Sequence, residues 1–227
     1  MAKTNKPTGR RATVRVKTAR GRTVSSLRWL QRQLNDPYVA EAKKRGFRSR
    51  AAFKLLQLDD QFHFLKPGGR IIDLGAAPGG WTQVSVERVK SDRGQGAVIG
   101  IDITPVEPVA GATVLAKDFY DEDAPKLLTD LLGGPADVVL SDMAASATGD
   151  PQVDHMRIMG LAEAAHDFAR QILKPGGTFV AKVLRGGTER TLLDRLKKDF
   201  VKVRHVKPES SRADSAEMYV VGTGFRG

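Results

Sequence analysis

The stretch of residues 71–83, IIDLGAAPGGWTQ, combines an apolar run, a glycine-rich turn and a tryptophan. The apolar run ends in an aspartate, and Gly75, Gly79 and Gly80 follow closely before Trp81. Because glycine lacks a Cβ atom, a turn rich in glycine lets the backbone approach a ligand closely. We therefore expect a strand that ends at a ligand-binding turn, with these three glycines beside the ligand.

The spacing of these glycines matches neither of the two common pyrophosphate-binding patterns. The pattern G-x-G-x-x-G is absent, and Trp81 stands where G-x-x-x-x-G-K-[ST] requires its phosphate-binding lysine. The sequence thus disfavours a ligand that is held through a pyrophosphate.

Outward from this turn, predicted strands alternate with predicted helices. A helix over SRAAFKLLQLDDQF is expected to begin at Ser49, and the last two strands are expected to form a hairpin. The alternation predicts an α/β fold of the Rossmann-like class: a seven-stranded, mostly parallel sheet with an antiparallel C-terminal edge strand and helices on both faces. The predicted strands span residues 70–74, 97–102, 113–115, 137–141, 178–183, 201–206 and 217–223, and the helices between them span residues 79–89, 123–132, 154–173 and 188–198.

Three aspartates lie at the ends of successive predicted strands. Asp73 ends the first strand, Asp102 ends the second and Asp118 follows the third. In a doubly wound sheet, ligands bind at the carboxyl ends of the strands, where an acidic residue accepts hydrogen bonds from ribose hydroxyls. We assign that role to Asp102 and expect Asp118 to accept a bond from an adenine amino group. The pattern predicts S-adenosylmethionine as cofactor and a methyltransferase; the alternative is that the aspartates only form turns.

The positive charge of the chain is concentrated near its beginning. Residues 1–50 contain 15 Lys and Arg against two acidic residues, whereas the rest contains 22 basic and 24 acidic residues. We interpret residues 1–24 as a basic, flexible extension that binds RNA, and residues 25–227 as the methyltransferase domain. A solubilising tail and a mitochondrial transit peptide are the alternatives.

The composition argues against several other classes of protein. No cysteine is present, which excludes disulfides and thiolate zinc sites, and the four histidines show no metal-binding spacing. No apolar segment approaches the roughly 18 residues that a membrane span requires. We therefore expect a cytoplasmic protein without a metal site and without membrane association. A monomer is also expected, although the sequence itself does not indicate the oligomeric state.

Four charged residues far from the glycine turn indicate a site for the methyl acceptor. Lys54 lies in the helix before the first strand, and Asp142 follows the fourth strand. Lys182 ends the fifth strand after an apolar run, although lysines are seldom buried without a partner. Glu217 begins the last strand. We expect Asp142 and Lys182 to be neighbours at the carboxyl edge of the sheet.

Five ordered motifs resemble those of the FtsJ/RrmJ (RlmE) family: SRAAFKL, DLGAAPGGW, SDMA, FVAKV and SSRADSAEMY. Members of that family are S-adenosylmethionine-dependent 2′-O-ribose methyltransferases that act on RNA. Bacterial members modify a uridine of 23S ribosomal RNA in the large subunit. The resemblance implies the same activity here.

The resemblance also implies roles for particular residues. It implies a catalytic tetrad of Lys54, Asp142, Lys182 and Glu217. Further residues are implied as cofactor contacts, namely Gly79, Trp81, Asp102, Asp118 and Asp142.

Positioning is expected to supply much of the catalysis, because a sulfonium methyl group needs only in-line attack by the ribose hydroxyl. Two roles for Lys182 stay open, since it could remove the hydroxyl proton as a base or only steer the hydroxyl. Two alternative functions also stay open. One is the same chemistry on transfer RNA, and the other is a ribosome-assembly RNA-binding protein whose catalysis is dispensable.

Overall fold

The structure, a computed structural model, describes residues 14–16, 21, 23–146, 148–185 and 189–227 of the chain. No described helix is long and apolar enough to cross a membrane. The described elements are, in chain order, α1 (Val24–Asn35), α2 (Pro37–Arg45), α3 (Ala52–Phe62), β1 (Arg70–Leu74), α4 (Gly80–Val89), β2 (Ala97–Asp102), β3 (Thr113–Ala116), α5 (Ala124–Leu132), β4 (Ala136–Ser141), α6 (Pro151–Ile172), β5 (Leu173–Leu184), α7 (Glu189–Asp199), β6 (Phe200–Val206) and β7 (Glu217–Phe225).

The described strands form one seven-stranded sheet in the order β3-β2-β1-β4-β5-β7-β6. Strands β1 to β5 pair in parallel, whereas β7 is antiparallel to both of its neighbours, β5 and β6. The predicted Rossmann-like, mostly parallel sheet is thereby confirmed. The antiparallel strand β7 lies one place inside the edge, and β6 is the outer strand. The strand order reverses between β1 and β4, so a ligand site is expected at their carboxyl ends.

Helices cover both faces of the sheet, as the sequence predicted. On one face α5, α6 and α7 pack through residues such as Leu128 and Phe168. On the other face α2, α3 and α4 pack through residues such as Leu55 and Val84. Because β1 is covered on both sides, residues 71–74 are all buried, which explains why this strand is a nearly continuous apolar run.

Two helices begin more than one residue away from the predicted start. The expected cap of α3 at Ser49 is wrong, because Ala51 occupies the N-cap without a side-chain hydrogen bond. The Ser49 hydroxyl instead fills the space that a side chain on Gly80 would need. Helix α6 begins at Pro151, ahead of the predicted start, since the Asp150 carboxylate accepts hydrogen bonds from two backbone amides of its first turn.

The segment before α1 contacts that helix through its backbone. Gln31 Nε2 and Asn35 Nδ2 donate to the carbonyl oxygen of Val14 over 2.6 and 3.0 Å. The amide of Val16 donates to Gln31 Oε1 over 3.2 Å. Most of the predicted basic extension, residues 1–24, lies outside the described residues. Its role in binding RNA stays a prediction.

Candidate active site

A cavity of about 770 Å³ opens at the carboxyl ends of β1, β2 and β4. It lies where the strand order reverses, and its volume is typical of a small-molecule site, roughly 300–1,000 Å³. The loops that follow β2, β3 and β4 and one side of α6 form its walls. Four of the residues predicted to contact the cofactor line this cavity, namely Gly75, Asp102, Asp118 and Asp142.

Two carboxylates of this cavity are held in place by backbone amides. Asp102 accepts from the amide of Ala77 through Oδ2 over 2.9 Å and from the amide of Thr104 through Oδ1 over 2.7 Å. Asp118 Oδ1 accepts from the amide of Tyr120 over 3.0 Å. Each carboxylate oxygen has further lone pairs for a ligand. The cavity therefore fits a ligand that offers hydroxyl and amino groups to these two carboxylates.

The second half of the glycine turn lies outside the lining of this cavity. Gly79 has a φ of 109°, and a Cβ atom there would lie 2.9 Å from Arg48 Nη1. Trp81 is buried, and its indole nitrogen donates to the carbonyl oxygen of Ala51 over 2.9 Å. These positions join the turn to the segment before α3. Cofactor contacts of Gly79, Gly80 and Trp81 stay a prediction.

Arg48, which the sequence did not single out, connects two loops beside the cavity. Its Nη1 donates to the carbonyl oxygen of Glu107 over 2.5 Å and to that of Pro78 over 3.3 Å. Its Nη2 donates to the carbonyl oxygen of Pro108 over 2.6 Å. One guanidinium therefore fixes the glycine turn against the loop that follows β2. No local sequence signal identifies this role, because all three acceptors are backbone groups.

The four residues predicted as catalytic come together next to this cavity. Lys182 Nζ lies 2.8 Å from Asp142 Oδ1 and donates to the Asp142 carbonyl oxygen over 2.8 Å. Lys54 Nζ lies 2.7 Å from Glu217 Oε2. The crossed pairs, Lys54 with Asp142 and Lys182 with Glu217, are each 4.0 Å apart. Two ammonium groups thus alternate with two carboxylates, and their formal charges cancel.

Asp142 is held as a carboxylate within this tetrad. Burial opposes its ionisation, but the ammonium groups of Lys182 and Lys54, with hydrogen bonds from Lys182 and Tyr219, outweigh burial and lower the pKa of Asp142. Tyr219 Oη donates to Asp142 Oδ1 over 2.6 Å. Burial, then the charges of Asp142 and Glu217, raise the pKa of Tyr219 well above its ordinary value, so the phenol remains a donor.

Tyr219 is a member of the site that was not predicted from the sequence. Side chains alternate between the two faces of a strand, so Tyr219 lies on the same face of β7 as Glu217. This alternation is the sequence pattern that could have indicated Tyr219. In the sheet, Tyr219 lies opposite Lys182 of β5. The pairing of β7 with β5 was needed to identify it.

A second cavity, of about 430 Å³, lies on the other side of the tetrad. Lys54 and Glu217 belong to its lining, whereas Asp142 lines the first cavity, so the tetrad stands between the two. Four basic and two acidic residues line the second cavity: Arg32, Arg50, Lys54, Arg212, Asp214 and Glu217. The charged residues of the first cavity are Asp102, Asp118, Asp142, Lys117 and Arg157.

Asp73 lies beneath the glycine turn and outside the lining of the first cavity. Its side chain is fully buried, and Thr82 Oγ1 donates to its Oδ2 over 2.7 Å. Among the described residues, its Oδ1 has no hydrogen-bond partner. Burial raises the pKa of Asp73 to about 7 against the effect of the Thr82 bond, and the charges of Asp142 and Asp102 add to the rise.

Within the described ranges, no group of three or more His, Asp or Glu side chains is placed to hold a metal ion. A seven-stranded sheet of this order, with a cavity at the reversal point, is typical of Rossmann-like methyltransferases. A match to a family model shows which methyltransferases this chain belongs with. Residues 47–225 match the model of the FtsJ-like methyltransferase family, and the chain belongs to this family.

Relatives of this chain are similar over nearly its whole length. The protein from Paramagnetospirillum magneticum named "Ribosomal RNA large subunit methyltransferase E" is 64% identical over 220 residues, which cover 96% of this chain and 90% of the relative. A protein of the same name from Parvibaculum lavamentivorans is 62% identical over 221 residues, covering 94% and 87% of the two chains. A solved ribosomal RNA methyltransferase from Plasmodium falciparum is 31% identical, with a TM-score of 0.70, and the match covers 80% of this chain and 100% of that one.

Proposed function

We propose that this methyltransferase transfers a methyl group from S-adenosylmethionine to the ribose 2′-hydroxyl of a uridine in 23S ribosomal RNA of the large subunit. One observation carries the proposal: the tetrad separates two cavities whose linings carry opposite net charge. The first has three carboxylates against two cations, and the second has four cations against two carboxylates. A cationic sulfonium donor suits the first cavity, and a polyanionic RNA acceptor suits the second.

The first cavity supplies the groups that S-adenosylmethionine requires. Asp102 would accept from the ribose hydroxyls, and Asp118 would accept from the adenine amino group. Gly75 supports close packing at the inner end, since a Cβ atom there would lie 2.5 Å from Met143 Cγ. When bound, the cofactor supplies an electrophilic methyl group on its sulfonium.

RNA is the acceptor because DNA lacks the 2′-hydroxyl. The ribosomal large subunit is proposed as the context because the relatives at 64% and 62% identity carry that substrate in their names. The basic beginning of the chain supports a nucleic acid partner, since phosphate neutralisation by Lys and Arg supplies most non-specific affinity.

Lys182 is proposed to position the acceptor hydroxyl. An ammonium group has three hydrogens to donate, and Asp142 accepts two of them through Oδ1 and its carbonyl oxygen. The third hydrogen would be available to the ribose 2′-oxygen, which would keep a lone pair for attack on the cofactor's methyl group. The S–C bond of the cofactor would break as the O–C bond forms, and the hydroxyl proton would leave after the transfer, because a protonated Lys182 cannot accept it. Lys54 and Glu217 complete the wall on the acceptor side, and Asp142 keeps the ammonium of Lys182 in place.

Replacement of Lys182 by alanine tests this proposal. We expect Lys182→Ala to lower methyl transfer to large-subunit ribosomal RNA by about a hundred- to a thousandfold, because the group that orients the hydroxyl is lost. The affinities for S-adenosylmethionine and RNA should change little. Lys202→Ala, on the exposed edge strand β6, is the matched control. Turnover within twofold of the control would contradict the role of Lys182.

The substrate is tested by mapping ribose methylation in ribosomal and transfer RNA from a strain that lacks the protein. We expect one uridine of 23S ribosomal RNA to lose its 2′-O-methyl group and to regain it with the wild-type gene. The Lys182→Ala gene should fail to restore it. Loss of methylation only in transfer RNA would contradict the proposed substrate.

A further inference from the structure

The tetrad cannot by itself neutralise the phosphates that accompany its substrate. The 2′-hydroxyl of an internal nucleotide is attached next to the carbon that bears the 3′-phosphodiester, so a phosphate must lie close to the tetrad. Lys54 and Lys182 are already paired with Glu217 and Asp142, and the four charges cancel. A phosphate beside the tetrad therefore requires a cation that is not one of the four tetrad residues.

The second cavity contains arginines in different states of pairing. Arg50 is strongly engaged, because it donates to the Asp36 carboxylate and to the carbonyl oxygen of Ser210. Arg212 lies 3.7 Å from the same Asp36 carboxylate, beyond hydrogen-bond distance, and its side chain is 32% exposed. The single carboxylate of Asp36 therefore faces two guanidinium groups. It can neutralise only one positive charge, and Arg212 is the less tightly paired of the two arginines.

Arg32 stands at the same cavity on the exposed side of α1. Among the described residues, no carboxylate forms an ion pair with it. Asp214 also lines the cavity, but within the described ranges it forms no ion pair with Arg32 or Arg212. Two guanidinium groups are therefore available to an anion next to the tetrad.

The segment that presents Arg212 is held in a fixed shape. Lys207 Nζ donates to the carbonyl oxygens of Ala213 and Ser215 over 3.1 and 2.6 Å. The amide of Ser210 donates to Gln57 Oε1 of α3 over 2.9 Å, and Ser211 Oγ donates to Glu217 Oε1 over 2.8 Å. The position of Arg212 is thereby coupled to that of Glu217 in the tetrad.

We propose that Arg212 and Arg32 form a phosphodiester-binding subsite for the backbone that flanks the acceptor ribose. The subsite rests on the proposed function, because it assumes that the acceptor is an RNA strand. Guanidinium groups bind phosphate oxygens through charge-assisted, often bidentate hydrogen bonds. Bound there, the phosphate fixes the acceptor ribose against the tetrad without contributing to sequence readout.

The test measures affinity of the full-length protein for large-subunit ribosomal RNA over a salt series, together with KM and kcat for methyl transfer. We expect Arg212→Ala and Arg32→Ala each to raise Kd and KM about tenfold, as loss of one charge-assisted contact would. The slope of log Kd against log salt should fall by about 0.7 for each lost contact. The kcat at saturating RNA should stay within twofold of wild type.

Two further variants make the result specific. Arg212→Lys keeps the charge but loses the planar donor geometry, so the salt slope should return to the wild-type value while Kd stays intermediate. Arg93→Ala removes an exposed arginine whose side chain is 71% accessible and which lies in the short turn before β2. It should leave Kd, KM and the salt slope unchanged.

The subsite is overturned if Arg212→Ala and Arg32→Ala match Arg93→Ala in affinity and salt slope while wild type methylates the RNA. It is also overturned if kcat falls with an unchanged Kd, because Arg212 would then act on the tetrad. Failure of the proposed function itself looks different, since wild type would then show no methyl transfer to this RNA.

Discussion

The two cavities beside the tetrad differ in how the chain builds them. The first cavity, proposed to hold the cofactor and here named the cofactor cavity, has walls from the carboxyl ends of β1 to β4, with α6 behind them. The second cavity, proposed to hold the RNA acceptor and here named the acceptor cavity, has walls from α1, from α3 with the segment before it, and from the segment before β7. One bond of the acceptor side, Lys54 to Glu217, spans 163 positions of the chain. The lining of the first cavity thus comes from residues 75–161, whereas the lining of the second comes from residues 32–217 and needs both ends of the fold.

The largest effect is expected at Asp142, because this residue belongs both to the tetrad and to the lining of the cofactor cavity. Asp142→Asn removes the charge that pairs with Lys182 and lines the cofactor cavity, so turnover should fall by about a hundred- to a thousandfold. Cofactor affinity should fall as well, because a cationic ligand loses a carboxylate. Asp130→Asn, in an exposed pair with Lys126 on α5, is the control. If only one of the two quantities changes, Asp142 serves one side alone.

The cofactor side is tested separately at Asp102. Asp102→Asn should weaken S-adenosylmethionine binding by about ten- to thirtyfold, since a charged acceptor for two hydroxyls is lost. Isothermal titration with the cofactor measures this effect. Affinity for ribosomal RNA should match that of an Asp92→Asn control, and a comparable loss of RNA affinity would break the proposed division between the cavities.

A smaller effect is expected at Tyr219, which supports Asp142 from β7. Tyr219→Phe removes the hydrogen bond to Asp142 Oδ1 and should lower kcat about tenfold, because the carboxylate that holds Lys182 loses one of its supports. Both binding affinities should stay near wild type. The control is Tyr38→Phe, whose hydroxyl makes only a 3.4 Å contact with Gln57. An unchanged kcat would show that Tyr219 only packs.

Asp73 lies beneath the glycine turn, and its replacement is expected to have the smallest effect on methyl transfer. The quantity that should change is the pH dependence of stability. Its folded pKa of about 7 lies above the ordinary value of 3.8, so the folded state binds the extra proton and stability is lost as pH rises from about 4 to 7. Asp73→Asn should flatten this decline. At pH 8 it should raise Tm by about 2–4 °C, a modest gain because the amide hydrogens also lack an acceptor. Thermal unfolding at pH 5 and pH 8 measures both effects, and equal declines for variant and wild type would contradict the elevated pKa.

The sequence predicted the fold and the cofactor side largely from local patterns. Strands β1 and β2 have the predicted bounds, because buried parallel strands must be apolar runs and the turns after them are marked by glycine and aspartate. Asp102 and Asp118 line the same cavity because the carboxyl ends of parallel strands meet at one edge.

The acceptor side was less accessible to residue-by-residue reasoning. The grouping of Lys54 with Glu217 came from resemblance to a family, since no spacing rule joins residues so far apart in the chain. Tyr219 and Arg212 depend on the placement of β7 between β5 and β6, and hairpin patterning does not say which strand of a hairpin lies inside the sheet. The Ser49 cap is wrong because Ala51 is the N-cap of α3, and the Ser49 hydroxyl, packed beside Gly80, has no hydrogen-bond partner among the described residues.

The interior position of β7 also has a consequence for protein synthesis. A chain emerges from the ribosome N-terminal residues first, so β5 and β6 are both synthesised before β7, the strand that lies between them. At that stage all residues that line the cofactor cavity have been synthesised. Glu217, the partner of Lys54, and Tyr219, the donor to Asp142, have not. The tetrad therefore cannot be complete before β7 has been synthesised and has paired with β5, because the last strand to be made is the one that supplies Glu217.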